Sequence, residues 1–308
     1  MSQSEQNLQY ESNWLYAFWK FSRPHTIFGT SLSVLGVYLI ALHSSLPHLW
    51  QLLGTWIACL LGNVYIVGLN QLEDIEIDQI NKPHLPLAAG DFSLRTGQWI
   101  VAVCGVGSLL LASALGPYLL GMVLISLAIG TAYSLPPIRL KRFPFWAALC
   151  IFSVRGAVVN LGLYLHFHWL TQQVFSIPRE IWALTLFVIV FSVAIAIVKD
   201  IPDMEGDRLY NITTLTLKIG QPAVLNVARG VLTVCYVGMI LAGWLWLSSV
   251  NSVFLGLTHT GALLLMWWQS LRVDFQDKDA IVNFYQFIWK LFFLEYLIFP
   301  AACLLVPV

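Results

Sequence analysis

Nine long apolar segments constrain the fold of this chain more than any other feature of its sequence. A helix needs roughly 20 predominantly apolar residues to cross the hydrocarbon core of a bilayer. The segments span residues 26–43, 50–70, 96–115, 117–133, 145–165, 180–198, 221–246, 252–271 and 282–305. Each segment is continuously apolar, whereas the strands of a membrane barrel alternate in polarity over about ten residues. The sequence therefore predicts an all-α, polytopic membrane protein with nine transmembrane helices.

The composition supports a single membrane-embedded domain. Of the 308 residues, 58% are hydrophobic and 10% are charged, whereas soluble domains carry about 25% charged residues. The net charge of zero gives no basis for electrostatic binding of nucleic acid. We expect one transmembrane domain over residues 1–308, with residues 1–24 as a polar N-terminal segment. Because residues 1–19 contain neither arginine nor an apolar core, the sequence predicts no transit peptide and no cleaved signal.

Basic residues are concentrated in alternate connections between the apolar segments. Of the 16 Lys and Arg residues, 12 lie before the first segment or in the second, fourth, sixth and eighth connections. The opposite connections contain only Arg179, and Arg155, Arg229 and Lys290 lie within segments. Loops rich in Lys and Arg remain on the cytoplasmic side of a membrane. We therefore expect the N-terminus to be cytoplasmic and the C-terminus to face the opposite side.

Eight of the 16 acidic residues fall in two short stretches, each directly after an apolar segment and on the expected cytoplasmic side. In the first stretch, polar side chains recur every four residues, at Asn70, Asp74 and Asp78. In the second stretch, they are separated by three and then four residues, at Asp200, Asp203 and Asp207. On a helix, either spacing places the side chains on one face, where like charges destabilise the helix. The pattern indicates that the same arrangement of polar side chains occurs twice in the chain.

A divalent cation explains this accumulation of acidic side chains. Carboxylate and amide oxygens are hard ligands that suit Mg²⁺ or Ca²⁺, and the absence of His and Cys argues against zinc. Mg²⁺ is usually held by one or two carboxylates together with substrate phosphates. Two facing clusters are therefore expected to hold a diphosphate through bridging metal ions. Solvated loop charges are the alternative for either cluster alone, and a divalent-cation transporter is a further alternative.

A basic turn lies on the same side as the acidic clusters. The turn covers residues 133–142 and contains three cationic side chains, Arg139, Lys141 and Arg142. These residues help to orient the protein, and they also suit a diphosphate clamp, together with Lys82 and Lys199, since Arg and Lys bind phosphate oxygens.

The two acidic stretches resemble the paired signatures of the UbiA-type intramembrane prenyltransferases. Residues 70–90, NQLEDIEIDQINKPHLPLAAG, resemble the NQxxDxxxD signature, and residues 199–220, KDIPDMEGDRLYNITTLTLKIG, are similar to the second Asp-rich motif. The similarity covers nearly the whole chain, including the basic turn. The tail NKPHLPLAAG and the form KDxPDxEGD are most similar to the homogentisate prenyltransferases of plant and cyanobacterial tocopherol synthesis, in particular the phytyl-transferring group.

The resemblance implies a helix bundle around a central cavity that opens to lipid and is capped by cytoplasmic loops, in a bacterial (cyanobacterial) membrane. It implies Mg²⁺-dependent transfer of a prenyl group, phytyl above others, from a prenyl diphosphate to homogentisate with decarboxylation. The implied metal ligands are Asn70, Asp74, Asp78, Asp200, Asp203 and Asp207, of which Asp74, Asp78, Asp203 and Asp207 are catalytic. The implied diphosphate-binding residues are Lys82, Tyr133, Arg139, Lys141, Arg142 and Lys199.

Arg155 is the candidate for binding the acceptor, because an ionisable residue inside a transmembrane segment indicates a functional site by default. Homogentisate carries a carboxylate, which needs a cationic partner when it leaves water. A structural arginine or a second diphosphate ligand are the alternatives for Arg155. Within the enzyme class, the alternative acceptors are a chlorophyllide, a naphthoate or a hydroxybenzoate.

Overall fold

The computed structural model describes residues 13–42, 49–171, 176–209 and 214–306, and within these ranges the chain forms helices and no strands. Helical residues 13–21 come first. In chain order they are followed by α1 (Pro24–Ala41), α2 (Leu49–Glu73), α3 (Ile75–Asn81), α4 (Pro86–Ala89), α5 (Leu94–Leu115), α6 (Pro117–Ser134), α7 (Pro144–Phe152), α8 (Val159–Thr171), α9 (Arg179–Lys199), α10 (Met204–Leu209), α11 (Leu215–Ile219), α12 (Gln221–Leu245), α13 (Ser252–Ser270) and α14 (Lys278–Leu304). The prediction of an all-α, multi-pass membrane fold is confirmed.

Eight helices in the described ranges are long and apolar enough to cross a membrane, judged by length and composition. One of them is the continuous helix Phe145–Leu170, in which α7 and α8 are joined by a π-helical turn, Ser153–Val158. The ninth predicted segment also forms a helix, α13, with 19 residues. It contains Thr258, His259 and Gln269, so its hydropathy is lower than that of the other eight.

Local sequence signals explain where the helices begin. Pro117 opens α6, where its missing N–H is not needed and its fixed φ suits a first helical residue. The preceding Gly116 has a φ of 142°, which a residue with a Cβ atom rarely adopts. Gly116 and Pro117 therefore divide residues 94–134 into two helices, as the sequence predicted. Asn251 and Asp277 cap α13 and α14 through their side chains.

The long helices pack as a closed ring. Helix α1 contacts both α2 and α14, so the first and the last span are neighbours. Going around the ring, α2 packs against α5 and α6, α6 against α8, the π-helical turn against α9, α9 against α12, α12 against α13, and α13 against α14. Large aromatic side chains, among them Phe191, Tyr236 and Phe292, fill the interior. The short helices α3 and α10, which carry the two acidic motifs, contact each other at one end of the ring.

Candidate active site

The two acidic motifs converge at one end of the bundle. Helix α3 follows α2 and carries the first motif, while α10 follows α9 and carries the second. Lys82, just after α3, donates hydrogen bonds from Nζ to both carboxylate oxygens of Asp203, over 2.9 and 2.8 Å. A lysine that follows the first motif is thus held by the second motif. We call this end of the bundle, where the two motifs meet, the site end.

The basic turn lies against the first motif. Arg139 donates from Nη2 to Oδ1 of Asp74 over 3.1 Å, and Nζ of Lys141 lies 2.7 Å from Oδ2 of the same carboxylate. The amide of Asn70 donates to Asp74 Oδ2 over 2.9 Å. Asp74 lies in the break between α2 and α3, where it is the N-cap residue of α3. The structure therefore brings Asn70, Asp74 and the basic turn together.

Arg23 is a site residue that the acidic and basic motifs of the sequence do not reveal. Its Nη2 donates to Asn70 Oδ1 over 3.1 Å and lies 3.9 Å from Asp78 Oδ2. Arg23 and Arg139 are the only non-glycine residues with positive φ in the described ranges, at 52° and 39°. Such left-handed backbone costs energy and is concentrated at functional sites. The available signal was the position of Arg23 directly before the first apolar segment, on the side of the acidic motifs.

The carboxylates of the site carry more negative charge than the protein readily accommodates. Burial, together with the nearby carboxylates of Asp203 and Asp200, raises the pKa of Asp207 to about 7. Burial also raises the pKa of Asp78 and of Asp200, and the charge of Asp203 acts on both in the same direction. In the described part of the chain, Asp78 Oδ2 is buried without a hydrogen-bond partner. Charge of this kind is what a divalent cation neutralises.

The donor set fits Mg²⁺ in chemistry, because it consists of oxygen ligands, one of which, Asp78 Oδ2, is buried without a hydrogen-bond partner in the described ranges. The described residues nevertheless contain no group of three or more His, Cys, Asp or Glu side chains close enough to hold a metal ion among themselves. Lys82 lies between the motifs and neutralises Asp203, while Arg139 and Lys141 neutralise Asp74. A metal site at this position would need further ligands, such as phosphate oxygens.

The remaining predicted diphosphate-binding residues differ in how deeply they lie in the site. Lys199 ends α9 and lies near the hydroxyl of Tyr133 and the carboxylates of Asp200 and Asp203, with no ion pair within 4.0 Å among the described residues. Arg142 is exposed, and the described residues offer it no ion pair. The structure thus brings Tyr133 and Lys199 to the inner side of the site and leaves Arg142 at its surface.

Arg155 lies deeper in the bundle. It belongs to the π-helical turn Ser153–Val158, a distortion that is frequent at functional sites. Its guanidinium carbon is 4.5 Å from the ring centroid of Trp289 and 5.5 Å from that of Phe292. No carboxylate among the described residues forms an ion pair with it. Arg155 is therefore a cation held by aromatic faces rather than by a counter-ion.

The fold and the site together define a multi-pass membrane protein with buried acidic and basic groups converging at one end of a helix ring. Residues 30–291 match the sequence profile of the UbiA prenyltransferase family. The chain belongs to this family.

Individual relatives agree with this assignment. The chain is 56% identical over 295 residues to the homogentisate phytyltransferase of Synechocystis sp., covering 94% of this chain and 96% of that one. It is 44% identical over 303 residues to the probable homogentisate phytyltransferase 1, chloroplastic, of Oryza sativa subsp. japonica, covering 94% and 74% of the two chains. A solved UbiA homologue from Archaeoglobus fulgidus, bound to GPP and Mg²⁺, superposes with a TM-score of 0.65 at 15% identity over 92% and 99% of the two chains. That likeness shows the shared fold.

Proposed function

We propose that the chain transfers a phytyl group from phytyl diphosphate to homogentisate in a Mg²⁺-dependent reaction that releases diphosphate and CO₂. The observation that carries the proposal is the meeting of the two acidic motifs through Lys82 and Asp203. The donor and the acceptor are supported by the similarity to the Synechocystis phytyltransferase, which covers almost the full length of both chains.

The acidic side chains of the site hold the metal ions. The proposed ligands are Asn70, Asp74, Asp78, Asp200, Asp203 and Asp207. Mg²⁺, when bound, supplies positive charge that stabilises the departing diphosphate. The buried oxygen of Asp78 that lacks a hydrogen bond and the raised pKa of Asp207 support a cation at this position.

The basic side chains of the site bind the diphosphate. The proposed binding residues are Arg23, Lys82, Tyr133, Arg139, Lys141, Arg142 and Lys199. Lys82 pairs with Asp203, and Arg139 and Lys141 pair with Asp74. With Asp74 and Asp203 as metal ligands, these three cations would be available to bind diphosphate oxygens. Fixed cations of this kind stabilise negative charge as it develops in the transition state.

Arg155 binds the carboxylate of the acceptor. A guanidinium that lacks a counter-ion inside a transmembrane helix favours an anionic ligand, and a charge-assisted hydrogen bond to carboxylate is strong there. Contact with the rings of Trp289 and Phe292 holds the Arg155 side chain in place and leaves its positive charge without a counter-ion. The aromatic faces along α14 are also suited to stabilising the allyl cation that forms when the donor ionises.

Prenyl transfer requires one C–O bond to break and one C–C bond to form. The allylic C–O bond of the donor breaks, and the diphosphate leaves with the electron pair. A ring carbon of homogentisate bonds to the prenyl carbon, and the proton on that ring carbon is lost. Loss of CO₂ from the carboxymethyl group leaves a methyl group and takes up one proton. Enclosure within the bundle keeps water away from the cation.

We further propose that the N-terminus and the site end face the cytoplasm, because 12 of the 16 basic residues lie in the N-terminal segment and the even-numbered connections. The C-terminus then lies on the opposite side of the membrane.

The test uses membranes that contain the full-length protein, labelled homogentisate, phytyl diphosphate and Mg²⁺. We expect a labelled lipid product that disappears on chelation of Mg²⁺. We expect Asp74→Asn and Asp203→Asn to lower turnover at least about 100-fold, because each removes a metal ligand. Asp277→Asn is the matched control, since Asp277 is exposed, far along the chain, and asparagine caps a helix as well as aspartate.

Three outcomes would contradict the proposal. Undiminished product after chelation would exclude the metal assignment, and near-normal turnover in both Asp74→Asn and Asp203→Asn would exclude the site. Turnover of a chlorophyllide, a naphthoate or a hydroxybenzoate, without turnover of homogentisate, would replace the acceptor.

A further inference from the structure

Two arginines lie at the edge formed by α12 and the end of α13. Arg229 in α12 donates from Nε to the hydroxyl of Ser270 over 2.9 Å, from Nη2 to the carbonyl oxygen of Ser270, and from Nη1 to Asn226 Oδ1 over 2.7 Å. Arg272 follows Ser270, the last residue of α13, by two positions. Because all three acceptors are neutral, these hydrogen bonds fix the guanidinium of Arg229 without neutralising its charge.

Neither arginine has an acidic partner. Helices α12 and α13 contain no Asp or Glu, and none of the ion pairs among the described residues includes Arg229 or Arg272. The acidic residue nearest to Arg272 in the sequence, Asp274, accepts a hydrogen bond from the backbone N–H of Gln276 over 2.8 Å. The described part of the chain therefore leaves two positive charges at this edge without a counter-ion.

Two tryptophans near the end of α13 contact these arginines. The guanidinium carbon of Arg272 is 4.0 Å from the ring centroid of Trp268, and that of Arg229 is 5.8 Å from the ring centroid of Trp267. The indole of Trp267 donates to Thr233 Oγ1 in α12 over 3.0 Å. Both indoles are partly exposed. Tryptophan is enriched where a membrane meets water, and its ring positions an arginine without neutralising its charge.

The depth of the two arginines suits a phosphate headgroup. Helix α12 begins at the site end, because α11 joins it to α10, and Arg229 lies about two turns after the start of α12. Its guanidinium extends back toward Asn226, three residues earlier, and toward the end of α13. Long basic side chains near helix ends reach the membrane interface in this way. The two guanidinium groups are therefore expected at the level of the lipid headgroups.

The surface next to the arginines is open and apolar. A Cβ atom at Gly230, directly after Arg229, would meet no atom within 4 Å. Exposed apolar side chains continue away from the arginines along both helices, at Val234, Val237 and Leu241 in α12 and at Leu257, Leu264 and Leu265 in α13. A ligand that contacts this whole surface needs an anionic head and apolar chains.

We propose that Arg229 and Arg272 bind the phosphate of an anionic membrane phospholipid, whose acyl chains lie along the exposed apolar surface of α12 and α13. Three of the five N–H groups of Arg229 are used within the protein, so two remain for phosphate oxygens. Guanidinium groups form charge-assisted hydrogen bonds with phosphate. No hydrogen bond or ion pair of the described residues joins either arginine to the acidic motifs, so this lipid site is separate from the proposed diphosphate site.

The experiment measures which lipid the full-length protein retains in detergent. The protein is mixed with equal amounts of phosphatidylglycerol and phosphatidylcholine that have identical acyl chains, and native mass spectrometry counts the retained lipid. A basic residue near an anionic headgroup favours binding about fivefold, so wild type should prefer phosphatidylglycerol about 25-fold. The preference should fall to about fivefold in Arg272→Gln and disappear in the double variant Arg229→Gln/Arg272→Gln.

Arg95→Gln is the matched control. Arg95 is an exposed arginine in the first turn of α5 and forms no ion pair among the described residues, so its replacement should leave the lipid preference unchanged. Because Arg229 also holds the end of α13, the single variant Arg272→Gln decides the result when the double variant folds poorly. The side chain of Arg272 forms no hydrogen bond within the described ranges, so its replacement removes charge with little effect on the fold.

Three results would overturn the proposal. The first is equal retention of the two lipids by the wild type, and the second is an unchanged preference in Arg272→Gln. The third is displacement of phosphatidylglycerol by inorganic phosphate at the same concentration, because the arginines would then form a site for a soluble anion. None of these measurements depends on prenyl transfer, so their outcome is independent of the proposed function.

Discussion

At the scale of single residues, buried carboxylates distinguish the site. Asp78 has a buried oxygen without a hydrogen-bond partner in the described ranges. Asp207 is 7% exposed and has a pKa of about 7. An isolated buried carboxylate is unfavourable in a folded protein unless a cation or a proton compensates it. In the function proposed above, a bound metal ion would supply this cation.

Asp207→Asn is predicted to stabilise the metal-free protein. The carboxyl titrates near 3.8 in a model compound and near pH 7 in the folded protein, so the folded state binds the additional proton between these values. The free energy of unfolding contributed by Asp207 therefore falls as the pH rises through this window and stays low above it. At pH 8 without metal, Asp207→Asn should have a higher Tm than wild type, and the difference should shrink as the pH is lowered toward 5.

The same variant should lose the increase in Tm that Mg²⁺ and a prenyl diphosphate give to the wild-type protein. Asp277→Asn, at an exposed helix cap, should match wild type in both measurements. A metal-free Tm for Asp207→Asn that is lower than wild type at pH 8 would contradict this account of the charge balance.

Sequence reasoning reached the charged residues of the site but missed their partners. The spacing of Asn70, Asp74 and Asp78 sufficed to select one acidic motif. The contacts of Arg23 and His25 depend on how the start of α1 is placed against α2 and α14, which involves residues far apart in the chain. No local pattern in the sequence encodes such a contact.

At the scale of elements, helix ends and a helix distortion position the functional groups. Helix α2 ends at Glu73 and α3 begins at Ile75, so Asp74 lies in a break that the four-residue spacing does not reveal. The π-helical turn around Arg155 is likewise invisible in the hydropathy pattern. By contrast, the division between α5 and α6 was predictable, because the Gly116–Pro117 pair has a direct effect on the backbone.

Helices α13 and α14 are joined inside the membrane by a buried polar pair. His259 Nε2 lies 3.0 Å from Glu295 Oε2, and the two side chains are 0% and 2% exposed. Removing one partner of such a pair leaves an uncompensated polar group and costs about 3–5 kcal/mol. We therefore predict that Glu295→Ala lowers the Tm of the detergent-solubilised protein markedly.

The double variant His259→Leu/Glu295→Leu is predicted to recover much of this stability, because apolar residues of similar volume often replace a buried pair at little cost. Unfolding followed by circular dichroism measures both effects. A double variant that is no more stable than Glu295→Ala would contradict this prediction.

At the scale of the whole molecule, the ring of helices brings distant parts of the chain to one site. Helix α1 closes the ring against α14, and the two motif helices α3 and α10 meet at the site end. The apolar segments predicted the fold class and nearly all of the long helices, since burial in lipid demands a length that is readable in sequence. The order of helices around the ring depends on side-chain packing and was not readable in this way.

The proposed orientation of the bundle rests on the distribution of charge and can be tested with reporter fusions. We predict that alkaline phosphatase fused after residue 308 is active outside the cytoplasm, whereas fusions in the connection around Arg139 are inactive. The reverse pattern would show that the site end faces away from the cytoplasm. Replacing Arg139 is unnecessary for this experiment, so the charge distribution that determines the orientation stays intact.

The central claim is that Asp74 and Asp203 act on one shared ligand. Calorimetric titration with a non-hydrolysable prenyl diphosphate analogue, with and without Mg²⁺, tests it on wild type, Asp74→Asn, Asp203→Asn and the double variant. For the wild type, we predict tight binding that requires Mg²⁺. Either single variant should lose much of the binding free energy. The loss in the double variant should be well below the sum of the two single losses, because both residues hold the same metal–diphosphate complex. Losses that add fully, or binding that is equally tight in the presence of a chelator, would contradict the account.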